Sequence, residues 1–246
     1  MSETITVTNA GPAMSADRSR DVGERRTARV TGVWYLLLGI SGLIGFLIIR
    51  PQIFVAGDPT ATLANLVDQE GLARIGLLAE MAVVVAQALA AVWFFKLFRT
   101  INHTAAWALA IFGIMNAVAI MASAVFLATA LTLAGDAGAV FGGDPAIVQL
   151  MYELSANSWG IGAIFFGLWL IPMGYVALTS GRMPAWLGRI LIVGGFGYVL
   201  SAFIGYASSQ SPGWLVEGLT YLASVGEFWM IGYLLVVGIR PSTSSR

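Results

Sequence analysis

Carboxylates placed inside apolar runs are the residues of this sequence with the most distinctive chemistry. Residues 221–240 read YLASVGEFWMIGYLLVVGIR, an apolar run in which Glu227 is the single acid. A second apolar run, about 73–97, holds Glu80 in the same way. If these runs cross a lipid bilayer, a charge near its centre costs about 2.5–3.5 kcal/mol. Each glutamate is then expected to face other helices, to take up a proton or to pair with a polar group.

Other polar residues lie at helical spacing from Glu227. At about 100° per residue, Tyr221, Ser224 and Glu227 fall on one face of the last run. Glu217 and Thr220 extend that face toward the start of the run. The opposite face carries leucine, valine and methionine, so the pattern predicts a polar stripe that faces other helices.

Two further runs carry polar pairs. Glu80 and Gln87 are seven residues apart and share a helix face, and Glu153 and Asn157 are i, i+4 neighbours. Three helices would thus each present a polar face. The polar residues of each face are concentrated in the half of the membrane that lies away from the side of the N-terminus. The simplest arrangement turns these three faces toward one another.

That arrangement predicts a cavity open to the outside. Arg74 or Arg50 would lie at its rim and Glu227 at its floor. A proton, an ion or a small molecule is the ligand such a cavity would take. The candidate ligand-binding or ion-binding residues are Glu227, Glu80, Tyr221, Ser224, Asn157, Glu153, Arg74 and Gln87.

The same residues have interpretations that need no ligand. Glu227 could hydrogen-bond two helices together as a protonated group, or face lipid. Glu80 could form an ion pair with Arg74. Ordinary interfacial or interhelical roles are the alternative for Glu153, Glu217, Gln87 and Asn116.

The composition is that of an integral membrane protein. Of the 246 residues, 58% are hydrophobic and 11% are charged, with a mean hydropathy of +0.81. A soluble globular domain carries about 25% charged residues, so this chain has too little polar surface to remain in water. The formal net charge is zero, which argues against a nucleic-acid partner.

Cysteine and histidine counts exclude several kinds of site. The chain has no cysteine, which excludes disulfides, thiolate nucleophiles and cysteine-based metal sites. Its single histidine, His103, excludes clustered histidine ligands for zinc or haem. We therefore predict no metal site and no cofactor, and assign no catalytic residue.

The elements that must position the glutamates are membrane-spanning helices. A span needs roughly 20 apolar residues, and the predicted spans are about 30–49, 73–97, 106–133, 150–178, 187–207 and 216–238. A disordered cytoplasmic tail (1–29), a transmembrane domain (30–240) and a short cytoplasmic tail (241–246) are the predicted domains. The pairs Asp58-Pro59, Asp144-Pro145 and Ser211-Pro212 predict helix starts. The segment PTATLANLVDQEG after Asp58 predicts a short amphipathic helix on the membrane surface.

Basic residues predict the orientation of this six-helix bundle. With the N-terminus in the cytoplasm, only Arg50 and Arg74 of the 13 basic residues lie outside. Because cytoplasmic loops are enriched in lysine and arginine, both termini are predicted to be cytoplasmic.

Four blocks of sequence resemble the bacterial membrane family called domain of unknown function 4386. They are ARVTGVWYLLLGISGLIG, GDPTATLANLVDQEGLARIGLLAE, IGAIFFGLWLIPMGYVALTSGRMPAWLGRILIVGGFGYVL and GEFWMIGYLLVVGIR. The likeness runs from about Ala28 to Arg240 and is most specific in FFGLWLIPMGY and PAWLGRILIVGGFGY. It implies a six-helix protein of the bacterial inner membrane, with the lipid bilayer as its partner. The family carries no established activity, so it assigns no catalytic residue.

Three classes of function remain open. The favoured class is an accessory or interaction protein with a polar intramembrane cluster. The first alternative is a small transporter or ligand-binding protein that uses the outward cavity around Glu227 and Glu80. The second is an intramembrane enzyme, disfavoured because no nucleophile, metal cluster or phosphate loop accompanies the glutamates. The sequence leaves the oligomeric state open. A continuous cavity joining Glu80 and Glu227 would favour transport, and separate partners for each would favour packing.

Overall fold

Long helices make up almost all of the chain. The computed structural model describes residues 11–136, 138, 140–208 and 212–241, with side chains from Asp21 onward. The helices are α1 (Gly11–Gly42), a π-helical segment (Leu43–Ile49), α2 (Arg50–Ile53), α3 (Pro59–Asp68), α4 (Glu70–Phe98), α5 (His103–Gly135), α6 (Pro145–Thr179), α7 (Ala185–Ala207) and α8 (Gly213–Val236). No strand occurs in these described ranges, so the predicted all-α class is confirmed.

Six helical stretches in the described residues are long and apolar enough to cross a membrane. The first runs over Asp21–Ile53, through α1, the π-helical segment and α2. The other five are α4, α5, α6, α7 and α8. The count predicted from the sequence is confirmed.

The first helix begins earlier than the sequence predicted. Residues 11–29, predicted as part of a disordered tail, belong to α1. Packing accounts for the later part of this extension, because Ala28 is completely buried and the Glu24 carboxylate pairs with Arg182. Residues 1–10 and 242–246, the remaining parts of the predicted tails, lie outside the described residues.

Two of the three predicted helix starts are capped as expected. Asp58 accepts a backbone N–H of α3 at 2.9 Å, and Asp144 accepts one of α6 at 2.8 Å. Each side chain satisfies a donor that has no partner within its own helix. Ser211 lies outside the described residues, and Pro212 precedes the first residue of α8 instead of being that residue.

The short helix α3 packs against protein on one face. Thr62 is fully buried and Leu66 is 1% exposed. Asn65 Nδ2 donates to the carbonyl of Ile53 at 3.2 Å, and the Thr62 hydroxyl donates to the carbonyl of Val55 at 3.2 Å. The predicted amphipathic helix therefore exists, and its buried face closes one end of the bundle beside α2 and α6.

The spans are arranged as a ring in which each contacts its neighbours in sequence and α8 contacts α1. Tyr35 of α1, Phe94 of α4 and Trp169 of α6 meet with ring centroids 5.4–5.5 Å apart. These three rings are almost completely buried. Where α6 meets α7 the backbones touch, since a Cβ on Gly167 would lie 2.6 Å from the carbonyl oxygen of Gly195.

The two ends of the bundle carry opposite charge. At the end where α1 begins and α8 ends, which we call the basic end, the described side chains include the cations Arg25, Arg26, Arg29, Lys96, Arg99, Arg182, Arg189 and Arg240 and the acids Asp21 and Glu24. The other, acidic end includes the acids Asp58, Asp68, Glu70, Asp136, Asp144, Glu153 and Glu217 and the cation Arg74.

Contacts of Arg182 with Glu24, Arg240 and Tyr233, which we call the clasp, join three parts of the chain at the basic end. Arg182 is buried between α6 and α7, and its guanidinium pairs with Glu24. Its Nε donates to the carbonyl of Arg240 at 2.7 Å. The Tyr233 hydroxyl donates to the carbonyl of Arg182 at 3.0 Å. The start of α1, the α6–α7 loop and the end of α8 are thereby joined.

Candidate functional site

The π-helical segment places Arg50 inside the bundle. Its last hydrogen bond runs from the N–H of Arg50 to the carbonyl of Gly45, five residues back. Pro51 has no N–H to continue an α-helical ladder, so a wider turn is expected just before it. π-Helical turns are rare and occur frequently at functional sites. The extra residue per turn rotates Arg50 toward the neighbouring helices, where it is 9% exposed.

Arg50 forms a buried ion pair with Glu80 of α4. Arg50 Nη2 lies 3.1 Å from Glu80 Oε1, and the side chains are 9% and 2% exposed. The indole Nε1 of Trp159 donates to the same Oε1 at 3.2 Å. The hydroxyl of Ser123 donates to Oε2 at 2.8 Å. Both oxygens of the carboxylate therefore have partners from other helices.

Two serines complete this group, which we call the Arg50–Glu80 cluster: Arg50, Glu80, Ser123, Ser155 and Trp159. The hydroxyls of Ser123 and Ser155 are 2.6 Å apart, and Arg50 Nη2 also donates to Ser155. The cluster ties α2, α4, α5 and α6 together. A buried ion pair is tolerated only when further hydrogen bonds satisfy both partners, and these contacts provide most of them.

A small cavity lies beside the cluster. Its volume is about 20 Å³, and Arg50, Glu80 and Tyr152 are its polar lining residues. Arg50 Nε has no hydrogen-bond partner among the described residues. A polar cavity needs roughly 10–15 Å³ to hold a water molecule, so this one has room for about one water. Glu227 is not among its lining residues.

Glu227 of α8 has a different partner from the ones predicted. The hydroxyl of Tyr35 in α1 donates to Glu227 Oε1 at 2.7 Å. The sequence predicted that Glu227 faces polar groups of the second or fourth span. Tyr35 comes instead from the first span, and its ring is held by Phe94 and Trp169.

The polar stripe of α8 is divided between two environments. Tyr221 is 68% exposed on the outer surface of the bundle. The hydroxyl of Ser224 donates to the carbonyl of Thr220 within its own helix at 3.4 Å. Neither side chain forms a hydrogen bond to Glu227 among the described contacts.

The predicted polar pair of α6 lies on an exposed face. Glu153 accepts a hydrogen bond from Gln149 at 3.3 Å. Asn157 Oδ1 accepts one from the hydroxyl of Tyr206 at 3.1 Å. Both Glu153 and Asn157 are exposed, so these contacts hold them at the surface of the bundle.

Arg74 does not pair with Glu80, which corrects the ion pair considered from the sequence. Its Nη2 lies 2.6 Å from Glu70 Oε1, and the two side chains are 62% and 54% exposed. Glu70 is one helical turn away and reaches the same solvent-exposed surface. Gln87, by contrast, is completely buried, and its amide has no partner among the described residues.

Sequence reasoning missed Tyr35, Ser123, Ser155 and Trp159, and gave Arg50 only a place at the rim. Single serines and tyrosines in apolar runs carry little signal by themselves. Pro51 directly after Arg50 was the available clue, because a proline at the end of a span disturbs the helical register there.

Comparison with known proteins identifies the family. The sequence profile of the family described as Domain of unknown function (DUF4386) matches residues 30–238. The chain belongs to this family. A 50-residue segment, 19% of the chain, is 40% identical to an uncharacterised protein of Archaeoglobus fulgidus and spans 31% of that relative's length. No solved structure matches. Membership of DUF4386 agrees with six apolar helices in a multi-pass membrane protein.

Proposed function

We propose that this DUF4386 protein is an accessory or interaction protein of the membrane, and that its intramembrane polar groups serve helix packing. The supporting observation is the state of Glu80. Its two carboxylate oxygens accept hydrogen bonds from Arg50, Trp159 and Ser123. A carboxylate with these partners holds helices together, and each of its oxygens is already hydrogen-bonded.

The separation of the two glutamates supports the same proposal. Glu80 belongs to a cluster shared by α2, α4, α5 and α6, whereas Glu227 bonds Tyr35 where α8 meets α1. The cavity beside Glu80 has a volume of about 20 Å³, far below the 300–1,000 Å³ of typical ligand pockets. A substrate larger than water has no place beside Glu80 in this conformation.

A second candidate function is ligand binding or transport by a related open conformation. The observation that favours it is the unpartnered Nε of Arg50 in a polar cavity beside a π-helical segment. A change in that segment would rotate Arg50 away from Glu80. The ligand would then be a small ion, a proton or a small polar molecule.

A stability screen separates the two candidates. Purified full-length protein is heated with a series of ions and small polar molecules, alongside Glu80→Gln. The accessory proposal predicts that no compound raises the unfolding temperature saturably. Saturable stabilisation of the wild type that is lost in Glu80→Gln would favour the transport candidate instead, since a ligand stabilises only the state that binds it.

We also propose that both termini are cytoplasmic and that the membrane is the bacterial inner membrane. The charge of the two ends supports this orientation, because basic residues concentrate where α1 begins and α8 ends. Reporter fusions at Gly57 and Arg240 test it. Signals from opposite sides of the membrane are expected, and signals from the same side would refute the topology.

A further inference from the structure

A groove separates α5 and α6 close to the basic end. Its volume is about 450 Å³, within the range of roughly 300–1,000 Å³ found for ligand sites. The first turns of α5 form one wall, and the part of α6 around Pro172 forms the other. None of its lining residues belongs to the Arg50–Glu80 cluster.

Small side chains create the groove. Farther into the membrane, Gly113 lets α5 approach α6, since a Cβ there would lie 2.7 Å from the Trp169 ring. Toward the basic end the facing residues include Ala108 of α5 and Pro172 of α6, which are too short to fill the space between the two helices. Pro172 also has no N–H to bond the carbonyl of Leu168, another lining residue.

The groove is polar only at its mouth. Asn102 and Thr104, where α5 begins, are the polar residues on that wall. Farther along, the lining residues Ala108, Phe112 and Leu168 are apolar. A ligand with a polar head and a hydrocarbon chain matches this change in polarity along the groove.

Charge at this end of the bundle favours an anionic head. Lys96 and Arg99 lie at the end of α4, just before Asn102, and both are exposed. In the described part of the chain neither forms an ion pair. The acid Glu24 at this end is already paired with Arg182. The ammonium of Lys96 lies 4.4 Å above the Trp93 ring, an arrangement typical of the membrane interface.

We propose that this groove binds one anionic phospholipid. The phosphate head lies at Lys96, Arg99 and the first turn of α5. One acyl chain lies along Ala108 and Phe112 on one side and Leu168 and Pro172 on the other. The lipid fills the space between α5 and α6, so its binding stabilises the folded protein.

The test compares phosphatidylglycerol and phosphatidylcholine with identical acyl chains, added to full-length protein in a non-ionic detergent. Native mass spectrometry counts bound lipids, and thermal unfolding measures stabilisation. Phosphatidylglycerol is expected to bind more tightly and to raise the unfolding temperature more. The double variant Lys96→Gln/Arg99→Gln is expected to lower this preference about 30-fold, which corresponds to about 1 kcal/mol for each basic residue.

Two further variants separate the groove from general surface charge. Ala108→Trp fills the groove and is expected to abolish tight binding, whereas Ile111→Trp on the exposed face of the same helix leaves it unchanged. Arg74→Gln removes an exposed cation from the acidic end and serves as the charge control. If Ala108→Trp does not fold, the lipid preference of Lys96→Gln/Arg99→Gln tests the proposal, because that variant changes only exposed residues.

Several results would overturn the proposal. Equal affinity for the two lipids would show that Lys96 and Arg99 do not select an anionic head. An unchanged preference for phosphatidylglycerol in Lys96→Gln/Arg99→Gln would show the same. Folded Ala108→Trp that binds phosphatidylglycerol like the wild type would remove the role of the groove. Inorganic phosphate that stabilises the protein as well as phosphatidylglycerol does would show a phosphate site without an acyl-chain site.

Discussion

Breaking the Arg50–Glu80 pair from one side is expected to destabilise the protein more than removing both partners. Arg50→Met leaves the Glu80 carboxylate buried without its cation, and Glu80→Met leaves the guanidinium without its anion. Each single change is expected to destabilise the fold by about 3–5 kcal/mol, the effect of an uncompensated buried charge. Both side chains are almost completely shielded in the structure, at 9% and 2% exposure.

The double variant Arg50→Met/Glu80→Met removes both charges and replaces them with apolar groups of similar length. Ser123 and Ser155 can still bond each other across 2.6 Å. The serine hydroxyl that loses Glu80 as its acceptor can donate to the carbonyl four residues back in its own helix, so the main loss is the partner of the Trp159 indole. A buried donor left unpaired costs about 1–3 kcal/mol. The double variant should therefore be destabilised by about 1–3 kcal/mol, less than either single variant.

The free energies of unfolding are measured in bicelles, with steric trapping as the readout of reversible unfolding. The matched control is the exposed pair of Arg74 and Glu70, whose coupling should be only about 0.3–0.5 kcal/mol. If the Arg50→Met and Glu80→Met effects simply add in the double variant, the two groups do not act as a buried pair. That result would refute the reasoning about the Arg50–Glu80 cluster.

The remaining predictions concern three other contacts. Tyr35→Phe should destabilise the protein by about 0.6 kcal/mol, the average for interhelical hydrogen bonds in a membrane, and by no more than the maximum of about 1.7 kcal/mol. Glu227→Gln should be nearly neutral because an amide oxygen still accepts from the tyrosine. The same bicelle assay measures both, and a larger loss in Glu227→Gln would contradict a packing role. Gly197→Ala should cost about 1–3 kcal/mol of stability, because its Cβ would collide with a backbone carbonyl of α8. The control Gly205→Ala has room for the added Cβ and should be neutral. Equal effects of the two variants would argue against close α7–α8 packing. Arg182→Gln should accelerate hydrogen exchange in residues 21–29 without affecting exchange around the Arg50–Glu80 cluster, and unchanged exchange at the start of α1 would show that the clasp does not hold it.

Features set by local sequence could be predicted well. Run length and hydropathy identify a membrane span because the bilayer thickness fixes the number of residues needed, and all six were identified. Asp58 and Asp144 could be predicted as caps, since a cap depends only on a few neighbouring residues. The extension of α1 was missed because Glu24 and Ala28 are held by contacts with distant parts of the chain.

The partners of the glutamates could not be read from the sequence in the same way. Periodicity places Glu227 on a helix face but does not say which neighbour that face meets, so Tyr35 of the first span was missed. For Arg50, the π-helical segment changes the number of residues per turn, so α-helical spacing does not give the face on which Arg50 lies. Helix order in the ring, which brings α8 back to α1, is also a tertiary property.

Cysteine labelling tests most directly whether the two glutamates lie in packed sites and not in an open aqueous cavity. The chain has no cysteine, so single substitutions can be labelled without background. Ser123→Cys places a thiol beside Glu80, Ser224→Cys places one a helical turn from Glu227, and Val140→Cys, at a position 91% exposed, is the positive control. We predict that a charged, membrane-impermeant thiol reagent modifies Val140→Cys in intact membranes and leaves the other two unmodified. Modification of Ser123→Cys and Ser224→Cys at rates close to that of Val140→Cys would contradict the packing account and show a water-filled route to both carboxylates.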